Sequence, residues 1–156
     1  MLNAKRPGES LVDATYLLMP HQANPAGTAF GGAILSWIDM TACMAAQRHC
    51  QMQVVTASID TVSFRAPINV GDHVILKARL SYVGTSSMEI SVTVIKEDPY
   101  SGQKTEATRA YVTCVALDAN NRPADVPRLL VETEEEKNEH EQACRRVAAR
   151  KESRGK

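Results

Sequence analysis

The chain has 156 residues, 44% of them apolar, and its 18 lysines and arginines match 18 aspartates and glutamates for a formal net charge of zero. This length and composition suit one domain with one core, and the neutral balance supplies no global field for nucleic acid. No apolar run approaches membrane-span length, and the opening MLNAKRPGES has basic residues but no stretch long enough for a signal peptide. The four cysteines form no CxxC pair, and Cys43 and Cys50 fall two turns apart on one predicted helix, too far for a disulfide. Reduced thiols in a cytoplasmic protein, with no zinc site and no membrane association, are the expectation.

Residues 1–10 are expected to be a flexible N-terminus. The stretch from Ser10 to Met19, LVDATYLLM, reads as a first strand, and Pro20, Asn24, Pro25 and Gly27 then break any regular period. Gly31 and Gly32 lead into an apolar run from Ala33 to Ala46 with the length of a helix. Val54 to Phe64 is rich in β-branched residues, and the turn segment RAPINVGD introduces His73 to Tyr82. There Val74, Leu76, Ala78, Leu80 and Tyr82 alternate with His73, Lys77, Arg79 and Ser81. Met88 to Lys96 should place Met88, Ile90, Val92 and Val94 inward, and DPYSGQK is a hairpin loop into a final strand, Thr105 to Asp118. Strands joined by short turns are antiparallel neighbours. The fold class is therefore α+β, one long helix packed on a curved antiparallel sheet of about five or six strands.

That domain is expected over 11–130. Residues 131–156 have helix-forming composition with an acidic beginning and a basic end, which suits a helix dipole. They read as a solvated, charged helix that frays into a disordered tail. A phosphate-binding patch from Arg145, Arg146, Arg150 and Lys151 is the functional rival to that reading.

Asp39 is the only charge between Gly31 and Gln47. A lone carboxylate on an apolar helix is costly without a partner. It is either a structural group bonded to an amide or an arginine, or a base or nucleophile set in a dry surround. Gly32, Ser36, Ala42, Cys43 and Ala46 put small side chains near it, while Ile34, Trp37, Ile38 and Met44 form a core stripe. The glycine-rich helix start offers free N–H groups and the positive dipole end, a place for an oxyanion. Gly31 and Asp39 are eight residues apart, about 12 Å along a helix. If both serve one reaction, a site must join one subunit's helix start to its partner's Asp39.

Asn24, Gly31-Gly32 and Asp39 at these spacings, with Phe64-x-x-Pro67, Val70-Gly71-Asp72, GTSSMEI and a closing VP before an acidic tail, resemble the acyl-CoA thioesterases of hotdog fold. The similarity is to the branch of bacterial short- and medium-chain acyl-CoA hydrolases and the cytosolic brain-type enzyme, over roughly Leu11 to Arg146. It implies a homodimer with two equivalent sites, often assembled as a trimer of dimers. It also implies hydrolysis of fatty acyl-CoA to fatty acid and coenzyme A without a cofactor. By the same resemblance Gly31 or Gly32 carries the oxyanion amide, Asn24 positions the carbonyl or the water, and Asp39 is base or nucleophile. Arg65 and the pair Ser86-Ser87, with Thr56 and Arg109 behind them, are the candidates for coenzyme A. Ordinary turn chemistry competes for the serines, and an exposed strand-end charge competes for Arg65. Two other activities use such scaffolds: a dehydratase or hydratase, for which His21 would be the loop histidine, and a non-catalytic acyl-CoA-binding regulator.

Overall fold

A computed structural model describes residues 2–60 and 62–155. The elements follow in the order β1 (Val12–Leu17), α1 (Gly31–Cys50), β2 (Gln53–Asp60), β3 (His73–Val83), β4 (Ser87–Glu97), β5 (Lys104–Leu117) and α2 (Glu134–Arg154). The strands form one antiparallel sheet in the order β1-β3-β4-β5-β2, which curls around α1. The expected α+β architecture is what the chain adopts, with five strands. Among the described residues no helix is long and apolar enough to cross a membrane.

The core lies between α1 and the concave face of the sheet. Val74, Leu76, Ala78 and Leu80 of β3, Met88, Ile90, Val92 and Val94 of β4, and Ala110, Val112, Cys114 and Ala116 of β5 meet Ile34, Trp37, Ile38, Ala42, Ala45 and Ala46 of α1. Three alanines on the buried side of α1 let the helix backbone lie close to the curved sheet, and Trp37 stacks on Tyr16 of β1 with ring centroids 4.5 Å apart. Ala42 and Ala46 thus belong to the core and not to the surround of Asp39. Met44, expected in the core stripe, is 38% exposed on the opposite face. The pattern misleads here because α1 is apolar nearly all round, so periodicity alone does not say which side is covered.

A bulge between Leu80 and Tyr82 adds one residue to β3. It rotates the strand end so that Val83 joins the core while Tyr82, expected inward, stacks against His140 of α2. Helix α2 lies on the convex face and runs to Arg154, further than a fraying tail would. Its start is fixed by a capping box, Thr133 accepting from the Glu136 amide at 3.0 Å and Glu136 accepting from the Thr133 amide at 3.1 Å. Glu134, Glu135 and Glu136 in the first turn suit the dipole. The N-terminal residues are also held: the Lys5 amide donates to Arg128 at 2.9 Å, the Leu130 amide donates to Lys5 at 2.8 Å, and Pro7 and Ser10 are buried.

Ala143 is the buried apolar residue of α2, so the helix is held down by charge. Glu89 of β4 is 1% exposed on the convex face. It accepts from Ser81 at 2.5 Å and from Arg146 at 2.8 and 3.2 Å, and Arg150 lies 2.9 Å away. Burial alone raises the Glu89 carboxyl pKa, but the hydrogen bonds from Arg146 and Ser81 outweigh that and hold it below the usual range. Arg150 also donates to Asp60, and Arg146 lies 3.6 Å over the Tyr111 ring.

Candidate active site

The loop before α1 is organised by Asn24. Its Oδ1 accepts from the amides of Ala26 at 2.9 Å and Thr28 at 3.2 Å, and its Nδ2 donates to Thr28 Oγ1 at 2.8 Å. These bonds close a turn in which Gly27 holds φ +82, a left-handed backbone that glycine adopts at no steric cost. A carboxamide nitrogen has two N–H bonds, so one remains for a ligand.

The turn delivers the chain to a helix start with no side-chain cap at Phe30. The Phe30 carbonyl closes the first turn by accepting from Ala33 and Ile34. That leaves the amides of Gly31 and Gly32 as the first orphan donors, with no acceptor among the described residues. The two glycines differ. A Cβ at Gly32 would meet the Phe30 ring at 2.5 Å, so a larger residue there must displace that exposed ring. Gly31 instead opens on a cavity of about 240 Å³ lined by Thr28, Phe64, Ala66 and Pro67. The motif Phe64-x-x-Pro67 is therefore a wall of the helix-start site.

Two turns on, Asp39 is half-buried on the outward face of α1 and accepts from Thr56 Oγ1 at 2.6 Å. Thr56, expected with the coenzyme A groups, thus lies against the carboxylate. A register shift between Thr56 and Ser58 in the β2–β5 ladder interrupts the pleat at this position, the kind of irregularity that re-aims a side chain. Asp39 has no cation among its hydrogen-bond or ion-pair partners in the described residues. Cys43, one turn along, has its thiol pKa raised, first by burial and then by Asp39. Cys114 is pushed up to about 12, chiefly by burial. Both therefore stay protonated and unreactive beside the carboxylate. No disulfide joins the four cysteines, and the described residues contain no cluster of metal-ligating side chains.

The outward side of α1, from its start past Asp39, is apolar and open. Phe30, Leu35, Met40 and Met44 of the helix and its start, Val55 of β2 and Phe64 are all exposed large hydrophobics, and β2 is an edge of the sheet. The remaining expected residues fall into two further places. Arg65 and Arg109 share a cavity of about 510 Å³ with α2 and both face Glu106, Arg109 at 2.8 Å and Arg65 at 3.7 Å. Ser86 and Ser87 sit in the turn between β3 and β4, in a cavity with Arg128 and Lys151. Ser87 Oγ lies 2.8 Å from the place a Cβ on Gly84 would take. His21 is exposed on the turn Pro20–Gln22.

A family model described as the Thioesterase superfamily matches residues 26–103. The uncharacterized acyl-CoA thioester hydrolase YkhA of Bacillus subtilis is 45% identical over 92% of this chain and 83% of its own length. An acyl-CoA hydrolase from Staphylococcus aureus, solved in complex with butyryl coenzyme A, coenzyme A and coenzyme A disulfide, superposes with a TM-score of 0.91 at 38% identity, covering 97% of this chain and 92% of that one. That hydrolase has also been solved with alanine in place of an asparagine, of an aspartate fifteen residues later and of a threonine seventeen beyond that. Asn24, Asp39 and Thr56 have the same spacing. An apo-hexameric acyl-CoA thioesterase superposes with a TM-score of 0.93 at 36% identity, covering 97% of both chains.

Proposed function

The chain belongs to the thioesterase superfamily and is an acyl-CoA thioester hydrolase, and we propose that each of its sites joins the helix start of one subunit to the partner subunit's Asp39. The observation that carries this reading is the separation of the two halves within one chain. The free amides at Gly31 and Gly32 and the carboxylate at Asp39 are two helical turns apart, about 12 Å, and the apolar face between them is uncovered.

In this arrangement the thioester carbonyl oxygen accepts from the helix-start amides, Gly31 being the one that opens on the cavity, and the free N–H of Asn24 adds to its orientation. The partner subunit's Asp39 either attacks the acyl carbon, giving an anhydride that water then hydrolyses, or takes a proton from the water that attacks it directly. Thr56 holds the carboxylate in place through its hydroxyl. The acyl carbon gains oxygen, the carbon–sulfur bond breaks, and the thiolate of coenzyme A leaves and is protonated. A thioester has weak resonance and a good leaving group, so an amide donor and one carboxylate suffice without metal or cofactor. Burial of the open face of α1 and of the β2 edge calls for at least a dimer, and the hexameric relative supports a trimer of dimers. The substrate and the free thiols support a cytoplasmic location.

Mixing inactive variants tests the split site. Asn24→Ala and Asp39→Ala oligomers should each be nearly inactive. Unfolded and refolded together, half of the randomly formed dimers pair one of each, placing both lesions in one site and leaving the other intact. Roughly a quarter of wild-type activity should return. Absence of recovery, with mixed oligomers confirmed by mass, would sink the two-subunit site.

A further inference from the structure

Cys144 differs from the other three cysteines. Cys50 and Cys114 are buried and Cys43 is half-buried, whereas Cys144 is exposed on α2. Its Sγ lies 3.5 Å from Nε2 of His140, one turn earlier on the same helix. The other nitrogen of that imidazole, Nδ1, lies 3.2 Å from the Ser81 carbonyl oxygen. A carbonyl only accepts, so Nδ1 carries the ring hydrogen and Nε2 is the lone-pair nitrogen that faces the thiol. The ring is half-buried and stacked on Tyr82, with centroids 5.9 Å apart and planes within 13°, which holds this orientation. Ser81 is the residue of the β3 bulge without a partner in the ladder register, so the irregularity that turns Tyr82 outward also sets the imidazole.

The thiol stands beside a cavity. Val147 and Lys151 follow Cys144 at the spacing of one helix face. Both line a space of about 390 Å³ together with Tyr82, the turn between β3 and β4, and Arg128. That lining holds two cations and no carboxylate. Neither Arg128 nor Lys151 has an ion-pair partner among the described residues, while Glu141, one turn before the thiol, is paired with Arg145 at 2.9 Å. A concave surface with one sign of charge concentrates ions of the other sign, here anions.

We propose that Cys144 is a site of thiol–disulfide exchange with a low-molecular-weight, negatively charged disulfide, whose anionic groups enter the cavity of Arg128 and Lys151. The step uses neither the helix start nor Asp39 and stands apart from the thioesterase reading. Nε2 of His140 takes the thiol proton and Sγ attacks one sulfur of the disulfide. The new Sγ–S bond forms as the old S–S bond breaks, and the leaving thiolate takes the proton back from Nε2. Cys144 is oxidised to a mixed disulfide, and half of the small disulfide is reduced to a thiol. Excess small thiol reverses the exchange. The other thiols do not compete: Cys50 and Cys114 are buried, and burial and Asp39 raise the pKa of Cys43.

Timed exposure of the native protein to three disulfides, read by intact mass, tests the step: glutathione disulfide is anionic, hydroxyethyl disulfide neutral and cystamine cationic. One adduct per chain is expected, placed on Cys144 by peptide mapping and absent in Cys144→Ser. His140→Gln keeps a donor for Ser81 but removes the proton-accepting nitrogen, and should slow exchange with all three by about tenfold or more. Lys151→Gln should leave the rate with the neutral disulfide alone and lower the rate with glutathione disulfide about threefold, the loss of one exposed charge. A comparison that needs no variant is the same thiol in the urea-unfolded chain, which should react about tenfold more slowly than native Cys144 with hydroxyethyl disulfide. An adduct on another cysteine of the native protein, or a Cys144 rate that neither unfolding nor His140→Gln lowers, overturns the proposal. Equal effects of Lys151→Gln on the anionic and cationic reagents overturn the cavity as the place where the disulfide binds.

Discussion

Asp39, on the helix that fills the concave side of the sheet, and Glu89, on the convex face of β4, are carboxylates whose surroundings could hardly differ more. Glu89 is fully buried and saturated: a serine hydroxyl and two arginines meet it, and its pKa is held low. Asp39 is half-exposed, has one neutral hydroxyl for a partner, and is surrounded by apolar side chains with nothing over them. A carboxylate that cations have neutralised has little left to offer a substrate. One left with a single oriented hydrogen bond keeps lone pairs available. On the proposed reading, the contrast separates a structural acid from a reactive one by partners and not by depth of burial.

Exchanging the two lesions is the sharpest way to break that distinction. Asp39→Ala should lower kcat by about two or more powers of ten with little change in KM or in the unfolding transition. Near-full turnover in that variant would return Asp39 to a structural role. Glu89→Ala should do the reverse, costing about 3 kcal/mol of stability by stranding two partly buried arginines, with kcat per folded molecule retained. Chemical denaturation read alongside initial rates checks both. Acid should dissolve the difference between wild type and Glu89→Gln. The folded-state pKa of Glu89 lies below its unfolded value, so its stabilisation is complete above the unfolded pKa and is lost as pH falls through the folded one. Denaturation midpoints of the two proteins should therefore converge below about pH 4. The smallest effect expected is at Thr56. Thr56→Val removes the one hydrogen bond to Asp39 and should reduce kcat about tenfold, without the stability loss seen at Glu89.

Asp39 could be found in the sequence because it breaks an apolar run, and Gly31 and Gly32 because they begin one. Glu89 could not. It stands between Met88 and Ile90 at a position that alternation assigns to the outer face, where a charge is unremarkable. Its burial depends on α2 arriving from more than fifty residues away with two arginines at the right height. The placement of Tyr82 failed for a related reason, since a bulge of one residue leaves no trace in composition. Thr56 reads in the sequence as a hydroxyl for coenzyme A. Only the packing of β2 beside α1 shows that it meets Asp39. The strands themselves were plain because each is bounded by turn residues, and the outward side of α1 was ambiguous because both of its sides are apolar.

The position of β2 at the edge of the sheet bears on how the protein survives before it works. A single subunit presents a row of unpaired backbone groups along Gln53–Asp60, with Val55 44% exposed on it. Such an edge will zip onto any extended chain it encounters. Pairing with a second subunit is thus a matter of timing: newly made chains must find one another before they find something else. By mass action, dilution should erode stability and turnover together.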